Sequence, residues 1–409
     1  MQNTAKSHIE KTSDDWSVAT NVPLSSADRN NKKSSNLYVP PVYNRLLIIA
    51  SEFPPNVGGI GNHAYHLARA LAMEGYKVSV VADTIAVENQ DLKKFAAEEP
   101  FKIHWIRRKR LVASTYLHRI ATALCVAAKA DKIICSGKFS LWIATLIKAR
   151  YPGKELIAVV HGTELDLKSA TPKKATTYSL GKFDKVIAVS DYTRSFLPRS
   201  LPARIHQFTI HNGISGGEFS ITASSSKLGG EPALITVGNV TERKGQLNVI
   251  NALPTIAQLY PGVQYHIVGK PTNKESIQAS AKTLGVEHKV TSYGAVSRDD
   301  LLQKLRSASI KLMLSNHTSE GDFEGFGIAV LEANAFGVPA IGSKNSGIAE
   351  AIVHGQTGLL VDPNCPKEIA EAVKLICHDY IRFSNNAKAW ARQHDWKIIV
   401  KEYVAAINM

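Results

Sequence analysis

Short apolar runs alternate with longer amphipathic stretches from about residue 45 onward. In the first half of the chain the apolar runs lie at 45–50, 77–83, 132–136, 156–162 and 185–190. Continuous runs of this length, rich in Val and Ile, are typical of parallel strands that are buried on both faces. The stretches between them, such as GNHAYHLARALAMEG with Gly75 as its stop, predict helices. The alternation therefore predicts a doubly wound α/β sheet.

The same alternation begins again in the second half of the chain. Its apolar runs lie at 233–239, 264–270, 289–294, 310–315, 339–343 and 358–362. A chain of 409 residues is also longer than one hydrophobic core usually supports, so we expect two Rossmann-like domains that face each other across a cleft. The predicted order begins with a flexible polar tail (1–43) and a first domain (44–214). A Gly/Ser-rich linker (215–232), a second domain (233–379) and C-terminal helices (380–409) follow.

The composition indicates the class of the protein and its location in the cell. With 44% hydrophobic and 21% charged residues, the chain has the composition of a soluble globular protein. No apolar run approaches the roughly 18 residues that a membrane span needs, and the first residues lack the apolar core of a secretory signal. The four cysteines form no closely spaced pair, so we expect a reducing, cytoplasmic location and no zinc site.

A net charge of +14 favours anionic partners, but it does not distinguish nucleic acid, anionic lipid and phosphorylated substrates. The densest basic cluster is Arg107, Arg108, Lys109 and Arg110, which the sequence places beside no acidic residue. A solvated loop explains such a cluster, but the aromatic residues near it also suit peripheral attachment to the inner face of an anionic membrane. No helix-turn-helix, RNA-binding or zinc-finger signature is present, so nucleic acid is not an expected partner.

The stretch EGDFEGFGIAVLE, residues 320–332, is called here the acidic-glycine segment. It follows an apolar run and therefore lies at the carboxyl end of a parallel strand, where open α/β sheets bind ligands. Its glycines allow a ligand to approach the backbone closely. A helix that begins at about Phe326 would point free N–H groups near Gly327 and Ile328 at an anion.

Two carboxylates of this segment, Glu324 and Glu332, can face one cleft at different depths. A carboxylate accepts protons from two hydroxyl groups, which suits a sugar or ribose diol. A hydrolytic pair of carboxylates is the alternative chemistry. An exposed acidic loop before a buried helix would explain Glu324, but it explains Glu332 poorly because the neighbours of Glu332 are apolar.

The turn VGNVTERKGQ, residues 237–246, follows the first apolar run of the second domain. Arg243 and Lys244 can reach a diphosphate from it, and Gly245 lets the chain turn into the next helix. A surface turn explains this stretch taken alone. Together with the acidic-glycine segment in the same domain, it favours phosphate binding.

A glycine-rich stretch in the first domain leaves two functions open. Gly59 and Gly61 precede a helix and predict another anion cradle. They also fit G-x-G-x-x-A, and Asp83 ends the next strand, as in the dinucleotide fingerprint of a dehydrogenase. Eight residues separate the strand from Gly59, whereas the fingerprint needs a tight turn, so the dehydrogenase ranks second.

His161 ends an apolar run in the first domain and is either a structural hydrogen bonder or a contact for a substrate hydroxyl. No His, Cys, Asp and Glu pattern indicates a metal site, and neither a G-x-S-x-G motif nor a P-loop is present.

These segments together resemble one known family. EGFGIAVLE resembles the E-x7-E motif of the retaining GT-B glycosyltransferases of family 4, and GNVTERKG resembles the turn that binds the donor phosphate in that family. GGIGNHAYHLARAL, HGTELD, VSDYTR, HNGI, YGAVSRDDL and GIAEAIVHGQTGLLVDP fall in the family's usual order. The likeness covers roughly residues 45 to 400.

The resemblance implies the GT-B fold, with a C-terminal helix that crosses back to the first domain. It also implies transfer of a sugar from GDP-mannose or a UDP-sugar, with retention of configuration and without a metal or other cofactor. The acceptor would be a glycan or a lipid-linked glycan in cell-surface polysaccharide or glycolipid synthesis. Some enzymes with a similar acidic lead-in are mannosyltransferases.

The resemblance also implies residue roles. Glu324 would hold the hydroxyls of the donor sugar, Glu332 those of the ribose, Lys244 would neutralise the diphosphate and His161 would contact the sugar. Catalytic roles thus go to Glu324, Lys244 and His161. The other donor contacts that it implies are Gly59, Gly61, Asn239, Arg243, Val268, Gly269, Val296, Phe326, Gly327, Ile328 and Glu332. The chain departs from the family at Asn239, where Arg is usual. This departure matters because Asn cannot neutralise phosphate charge.

Two further hypotheses stay open at this point. One is an NAD-dependent oxidoreductase that uses Gly59, Gly61 and Asp83. The other is a non-catalytic protein that binds a nucleotide sugar or an anionic lipid, in which Asn239 marks lost activity.

Overall fold

The computed structural model describes residues 44–55, 58–84, 90–220, 228–318 and 321–409. The tail predicted over residues 1–43 and the middle of the predicted linker lie outside these ranges. Within them, strands and helices alternate and form two separate parallel sheets.

The first sheet is built from seven strands of the described chain. They are β1 (Arg45–Ala50), β2 (Lys77–Thr84), β3 (Lys102–Arg107), β4 (Lys132–Ser136), β5 (Glu155–Val160), β6 (Lys185–Ala188) and β7 (His206–Thr209). Their spatial order is β3-β2-β1-β4-β5-β6-β7, and every pairing is parallel. The central strands are apolar runs with nearly every side chain buried, as expected for a sheet covered by helices on both faces.

The second sheet is built from six strands of the described chain. They are β8 (Ala233–Val237), β9 (Gln264–Val268), β10 (Val290–Gly294), β11 (Ile310–Met313), β12 (Ala340–Ser343) and β13 (Gly358–Val361). Their order is β10-β9-β8-β11-β12-β13, again with parallel pairings. In each sheet the order reverses beside the first strand, which creates the crevice where doubly wound sheets bind ligands.

Helices connect the strands and cover both sheets. They are α1 (Gly59–Met73), α2 (Gln90–Glu98), α3 (Val112–Ala127), α4 (Lys138–Arg150), α5 (Ala170–Leu180), α6 (Asp191–Ser195), α7 (Gln246–Leu259), α8 (Lys274–Thr283), α9 (Arg298–Ser307), α10 (Ile328–Ala335), α11 (Ile348–Ala351), α12 (Pro366–His378), α13 (Tyr380–Gln393) and α14 (Trp396–Asn408). Each sheet packs its own apolar core against these helices.

The two edge strands of the first sheet, β3 and β7, are the ones that the sequence did not predict. β3 reads KIHWIR and β7 reads HQFT, so neither is a continuous apolar run. An edge strand has one free side and tolerates polar residues, which is why neither strand appears in the sequence as an apolar run. The solvated loop considered for the basic cluster is wrong for Arg107, because that residue ends β3 (Lys102–Arg107).

The last two helices link the two sheets. Trp390 of α13 donates its indole N–H to the carbonyl of Ala351 at 3.0 Å, beside the second sheet. In α14, the hydroxyl of Tyr403 lies 3.0 Å from His63 Nε2 of α1, and the Ile407 carbonyl accepts from Lys185 Nζ at 3.0 Å. The chain therefore returns to the first domain. The two doubly wound sheets and this crossing helix confirm the predicted fold class.

Candidate active site

Three charged side chains meet at the carboxyl ends of β8 and β11. Lys244 Nζ lies 2.8 Å from Glu324 Oε2, and Arg243 Nη1 pairs with the same oxygen. Glu324 is largely buried, with 14% of its side chain exposed. Burial alone would raise the pKa of Glu324, but the two cations outweigh it and hold that pKa below its usual value. The carboxylate is therefore ionised, and it shares its charge with two cations.

A left-handed glycine positions these cations. Gly245 has a φ of +69°, and a side chain there would place its Cβ 1.7 Å from the Leu314 carbonyl that follows β11. Only glycine allows the turn to lie so close to the next strand's exit. The Asn316 N–H donates to the Arg243 carbonyl at 3.0 Å and fixes the turn from the other side. Arg243 and Lys244 are thus held above the loop that carries Glu324.

Helix α10 begins at Ile328, two residues later than the sequence predicted, because Gly327 adopts the left-handed conformation with φ +98°. Within the described chain no side chain caps this end of α10. Its first backbone N–H groups therefore remain suited to an anion, next to the pair of cations on the neighbouring turn.

Glu332 lies one turn into α10 and is buried to 9% side-chain exposure, where Arg298 Nη1 of α9 donates to its Oε1 at 2.7 Å. Between the two sheets, a cavity of about 10 Å³ reaches this carboxylate. The first-domain side chains that line the cavity include Asn62, His63 and His66. In this conformation the cavity has room for no more than a water molecule.

The acidic-glycine segment also docks onto the first domain. A side chain at Gly325 would place its Cβ 2.0 Å from the carbonyl oxygen of His161, and one at Gly162 would meet the ring of Phe323 at 2.5 Å. The sequence predicted that Gly325 and Gly327 let a ligand approach the backbone. The backbone that Gly325 approaches is that of the other domain.

Hydrogen bonds complete this contact between the domains. The Gly325 carbonyl accepts from Ser190 Oγ at 2.6 Å and from Thr193 Oγ1 at 3.2 Å. Nearby, the Glu350 carboxylate accepts the backbone N–H groups of Asp191 and Tyr192 at 2.8 and 2.7 Å. Burial would raise the pKa of Glu350, but these bonds and the contact with His211 lower it, so it stays ionised.

His161 is held at the domain contact. Its Nε2 lies 2.9 Å from Ser136 Oγ, and its ring packs edge-on against His63. Burial lowers the pKa of His161 to about 4, so the ring is neutral at physiological pH. A neutral ring can exchange hydrogen bonds with a hydroxyl group, but it adds no positive charge to the site.

The predicted anion cradle of the first domain is partly filled by the protein itself. The Gly61 N–H, in the first turn of α1, donates to the Glu52 carboxylate. A side chain at Gly61 would also meet the backbone of Glu52 and Phe53 at 2.9 Å, so Gly61 serves close packing. A Cβ added at Gly59, in contrast, would have no described atom within 4 Å, so this position faces open space. A phosphate at this helix end would have to displace Glu52.

Asp83 has a partner that the dehydrogenase hypothesis did not foresee. Its carboxylate is buried and takes a two-point hydrogen bond from Arg119, with 2.7 Å between Nε and Oδ1. Arg108 approaches the same carboxylate at 3.7 Å. Both oxygens of the Asp83 carboxylate are therefore bonded to arginine, and Asp83 cannot hold a ribose diol.

The expectation that the basic cluster faces no acidic residue is also wrong for Arg108.

Comparison with known proteins decides the family. The model of the glycosyl transferases group 1 matches residues 219–394, and that of glycosyltransferase family 4 matches residues 57–215, so the two together span most of the chain. The chain belongs to the GT-B glycosyltransferases of family 4. The alternative of an NAD-dependent oxidoreductase is therefore wrong.

Relatives of this glycosyltransferase include a mannosyltransferase and a glycogen synthase. A GDP-mannose-dependent alpha-(1-6)-phosphatidylinositol monomannoside mannosyltransferase of Mycobacterium tuberculosis is 28% identical over 353 residues, which cover 80% of this chain and 88% of the relative. A glycogen synthase of the same species is 24% identical over 393 residues, which cover 87% and 92%. The protein is thus a nucleotide-sugar glycosyltransferase.

Solved structures agree with the fold. Sucrose-phosphate synthase from Thermosynechococcus elongatus superposes with a TM-score of 0.72 at 18% identity, covering 89% of this chain and 98% of that one. Anabaena HepE in complex with UDP and glucose gives 0.71 at 18% identity, covering 89% and 99%.

The remaining predicted donor contacts of the glycosyltransferase lie around the second sheet. Val268 is buried in the core, whereas Val296 is half-buried at its margin. Gly269 packs against the Gly238 carbonyl, where a Cβ would come within 2.0 Å. Asn239 is exposed, and its side-chain oxygen accepts from Lys270 N at 3.4 Å. Their roles toward a donor stay predictions.

The sequence did not predict several residues of the site. They are Arg298, which pairs with Glu332, Glu350, which joins the domains, and Lys311, which is buried in β11. A lysine inside the apolar run IKLML was the one visible signal. Partners such as Arg298 and Glu332, 34 positions apart, are brought together only by the fold.

No group of three or more His, Cys, Asp or Glu side chains suited to a metal occurs in the described ranges.

Proposed function

We propose that the protein is a retaining, metal-independent glycosyltransferase that moves a hexose from a nucleoside diphosphate sugar to a hydroxyl group of a glycan or lipid-linked acceptor. The observation that carries this proposal is the convergence of Arg243 and Lys244 on Glu324, beside the uncapped start of α10. Cations and N–H groups together suit a diphosphate, and a carboxylate suits the hydroxyls of a sugar.

When a donor binds, Arg243, Lys244 and Glu324 exchange their ion pairs with one another for contacts with the donor. The diphosphate takes Arg243 and Lys244, and Glu324 is released to accept hydrogen bonds from the donor sugar. Glu332 is in a position to bind the ribose once Arg298 moves aside. The cavity beside Glu332, of about 10 Å³, is too small for a ribose, so donor binding includes an opening between the two domains at this place.

The chemical step breaks the bond between the anomeric carbon and the β-phosphate oxygen. A bond from the acceptor oxygen to the same face of the anomeric carbon forms, and the acceptor proton passes to the leaving phosphate. Negative charge grows on the diphosphate in the transition state, where Lys244 and the N–H groups of α10 stabilise it. Removing one such donor typically costs about 3 kcal/mol, or about a hundredfold in rate.

The donor is GDP-mannose or a UDP-sugar. The mannosyltransferase relative supports the first, because its name states GDP-mannose, and the structure of Anabaena HepE with UDP and glucose supports the second. The acceptor belongs to cell-surface polysaccharide or glycolipid synthesis, since that relative acts on a phosphatidylinositol mannoside.

The acceptor side of the proposal includes an anionic membrane. Arg107, Lys109 and Arg110 are exposed at the end of β3, and the next residues, Leu111 and Val112, are 69% and 63% exposed. Exposed apolar residues beside cations suit insertion into an anionic lipid surface. In the described ranges, no helix is both long and apolar enough to cross a bilayer.

A donor panel tests the proposal. Purified protein is given GDP-mannose, UDP-glucose, UDP-galactose or UDP-N-acetylglucosamine with EDTA and an extract of lipid-linked acceptors, and nucleotide release and the product's anomeric configuration are measured. Turnover of one donor with an α-configured product is expected. An inverted product would contradict retention, and activity that EDTA abolishes would contradict metal independence. No turnover with any donor, despite tight nucleotide binding, would favour the non-catalytic hypothesis.

A further inference from the structure

Within the described chain, a lysine lies inside the second sheet without a hydrogen-bonding partner. Lys311 stands in the middle of β11, between β8 and β12, and none of its surface is exposed. Its side-chain nitrogen is fully buried and is one of the unsatisfied polar atoms among the described residues. A charged group in such a place is costly unless something compensates for it.

Lys311 faces the candidate active site. Its neighbours on the strand, Ile310 and Leu312, pack into the core on the side of α7 and α12. Side chains alternate between the two faces of a strand, so Lys311 points to the opposite face, where α10 carries Glu332. The charges that act on Lys311 are those of Lys244, Glu332 and Glu324, which are the predicted donor-binding groups.

The net positive charge of the site is smaller than the negative charge of the diphosphate of a donor. Arg243 and Lys244 are shared by Glu324, and Arg298 is paired with Glu332, which leaves one net positive charge among these five groups. The diphosphate of a nucleotide sugar carries about two negative charges, because each esterified phosphate keeps one ionised oxygen. One more cation beneath the site would balance the complex.

We propose that Lys311 is a positioning residue that takes up a proton when a nucleoside diphosphate binds, and so supplies the missing positive charge from beneath the site. This inference rests on the proposed function, because it requires a diphosphate beside Lys244. Lys311 touches no donor atom in this arrangement. It acts through the field that it exerts on the diphosphate, Glu324 and Glu332.

The chemistry of Lys311 in the empty protein fits this role. Burial lowers its pKa to about 7, nearby Lys244 adds to the effect, and Glu332 and Glu324 oppose it. Arg243 and Arg298 form ion pairs with these two carboxylates, Glu324 and Glu332 respectively. On the neighbouring strands, Ile235 and Ala340 are its register partners and carry no charge. A bound diphosphate adds negative charge near Lys311 and therefore raises its pKa.

Calorimetry in buffers of different ionisation enthalpy tests the inference. GDP and UDP are titrated into the full chain at pH 7.5, 8.0, 8.5 and 9.0, above the range in which their terminal phosphate titrates, at about pH 6. The wild type is compared with Lys311→Met, which keeps the length of the side chain, and with Lys282→Met on the exposed face of α8 as the control.

The expected result has a definite sign. Near pH 8 the wild type takes up close to one proton more than Lys311→Met, and its affinity weakens by up to about tenfold per pH unit as the pH rises. The affinity of Lys311→Met is flat over the same range, and Lys282→Met behaves as the wild type. Equal proton uptake by wild type and Lys311→Met would overturn the inference while leaving the proposed function intact. Failure of both nucleotides to bind the wild type would overturn both.

A second measurement needs no ligand. Because the pKa of Lys311 lies below its value in the unfolded chain, the unfolded state binds more protons between about pH 7 and pH 10. The stability of the wild type should therefore rise with pH across this window more steeply than that of Lys311→Met, in urea unfolding at each pH. Should Lys311→Met not fold, Lys311→Leu replaces it. Parallel stability curves would show that Lys311 does not titrate there, which excludes the proton uptake.

Discussion

At the scale of single residues, Lys244 and Asn239 lie on the same turn but differ in what they contact. Lys244 Nζ reaches Glu324, whereas Asn239 is exposed and contacts the neighbouring backbone. The sequence identified Glu324 and Lys244 because their residue types and the adjoining glycines indicate phosphate and sugar chemistry. It missed Lys311, because a lysine in a short apolar strand gives no sign of whether it faces solvent or the interior.

Lys244→Ala is expected to abolish sugar transfer, and Asn239→Ala to have a mild effect. Loss of Lys244 removes a cation from the leaving diphosphate and costs about a hundredfold or more in kcat/KM. Asn239 carries no charge, so its loss changes kcat/KM by only about twofold to threefold. Steady-state kinetics with the accepted donor measures both, with Lys282→Ala as the control. Wild-type activity of Lys244→Ala would remove the assignment of the phosphate site.

At the scale of elements, the apolar runs predicted the inner strands of both sheets, because those strands are buried on both faces and must be apolar, and they also predicted the edge strands β10 and β13 of the second sheet. The edge strands β3 and β7 lacked that constraint and were missed. The start of α10 was predicted two residues early, because the left-handed Gly327 delays the helix. The docking of the acidic-glycine segment onto the first domain was beyond prediction, since it depends on how two domains meet.

Gly325→Ala tests the role of that segment as a domain contact. A methyl group there would lie 2.0 Å from the His161 carbonyl, so the backbone must shift and stability should fall by about 1–3 kcal/mol. Gly59→Ala is the matched control, because a methyl group at that position meets open space. Urea unfolding of both variants provides the measurement. A midpoint for Gly325→Ala equal to that of Gly59→Ala would mean that the contact is not needed for stability.

At the scale of the whole molecule, the two sheets and the crossing helix surround a small cavity beside Glu332, of about 10 Å³. The contact between the domains includes the hydrogen bonds of Gly325 and Glu350 with α6 and the residue that precedes it. We propose that these bonds open when a donor enters, and that α14, which contacts the first domain, keeps the two domains joined. The exposed basic and apolar surface at 107–112 lies on the first domain and would bring it to the acceptor.

Membrane attachment is tested by vesicle sedimentation. Vesicles with one third phosphatidylglycerol should bind the wild type at low salt, and the double variant Arg107→Glu/Arg110→Glu should bind at least tenfold less, since each basic residue contributes about 1 kcal/mol. The control is Lys367→Glu/Lys374→Glu on α12, which makes the same change in net charge. Binding that is unaffected by salt and by the first double variant would argue against this surface.

The measurement that tests the central claim most directly is calorimetric titration with GDP, UDP, ADP and NAD in the presence of EDTA. The wild type should bind one nucleoside diphosphate tightly and NAD not at all, and Lys244→Ala should lose about a hundredfold in affinity for that nucleotide. Equal affinity of Lys244→Ala and the wild type, or binding of NAD alone, would contradict the account.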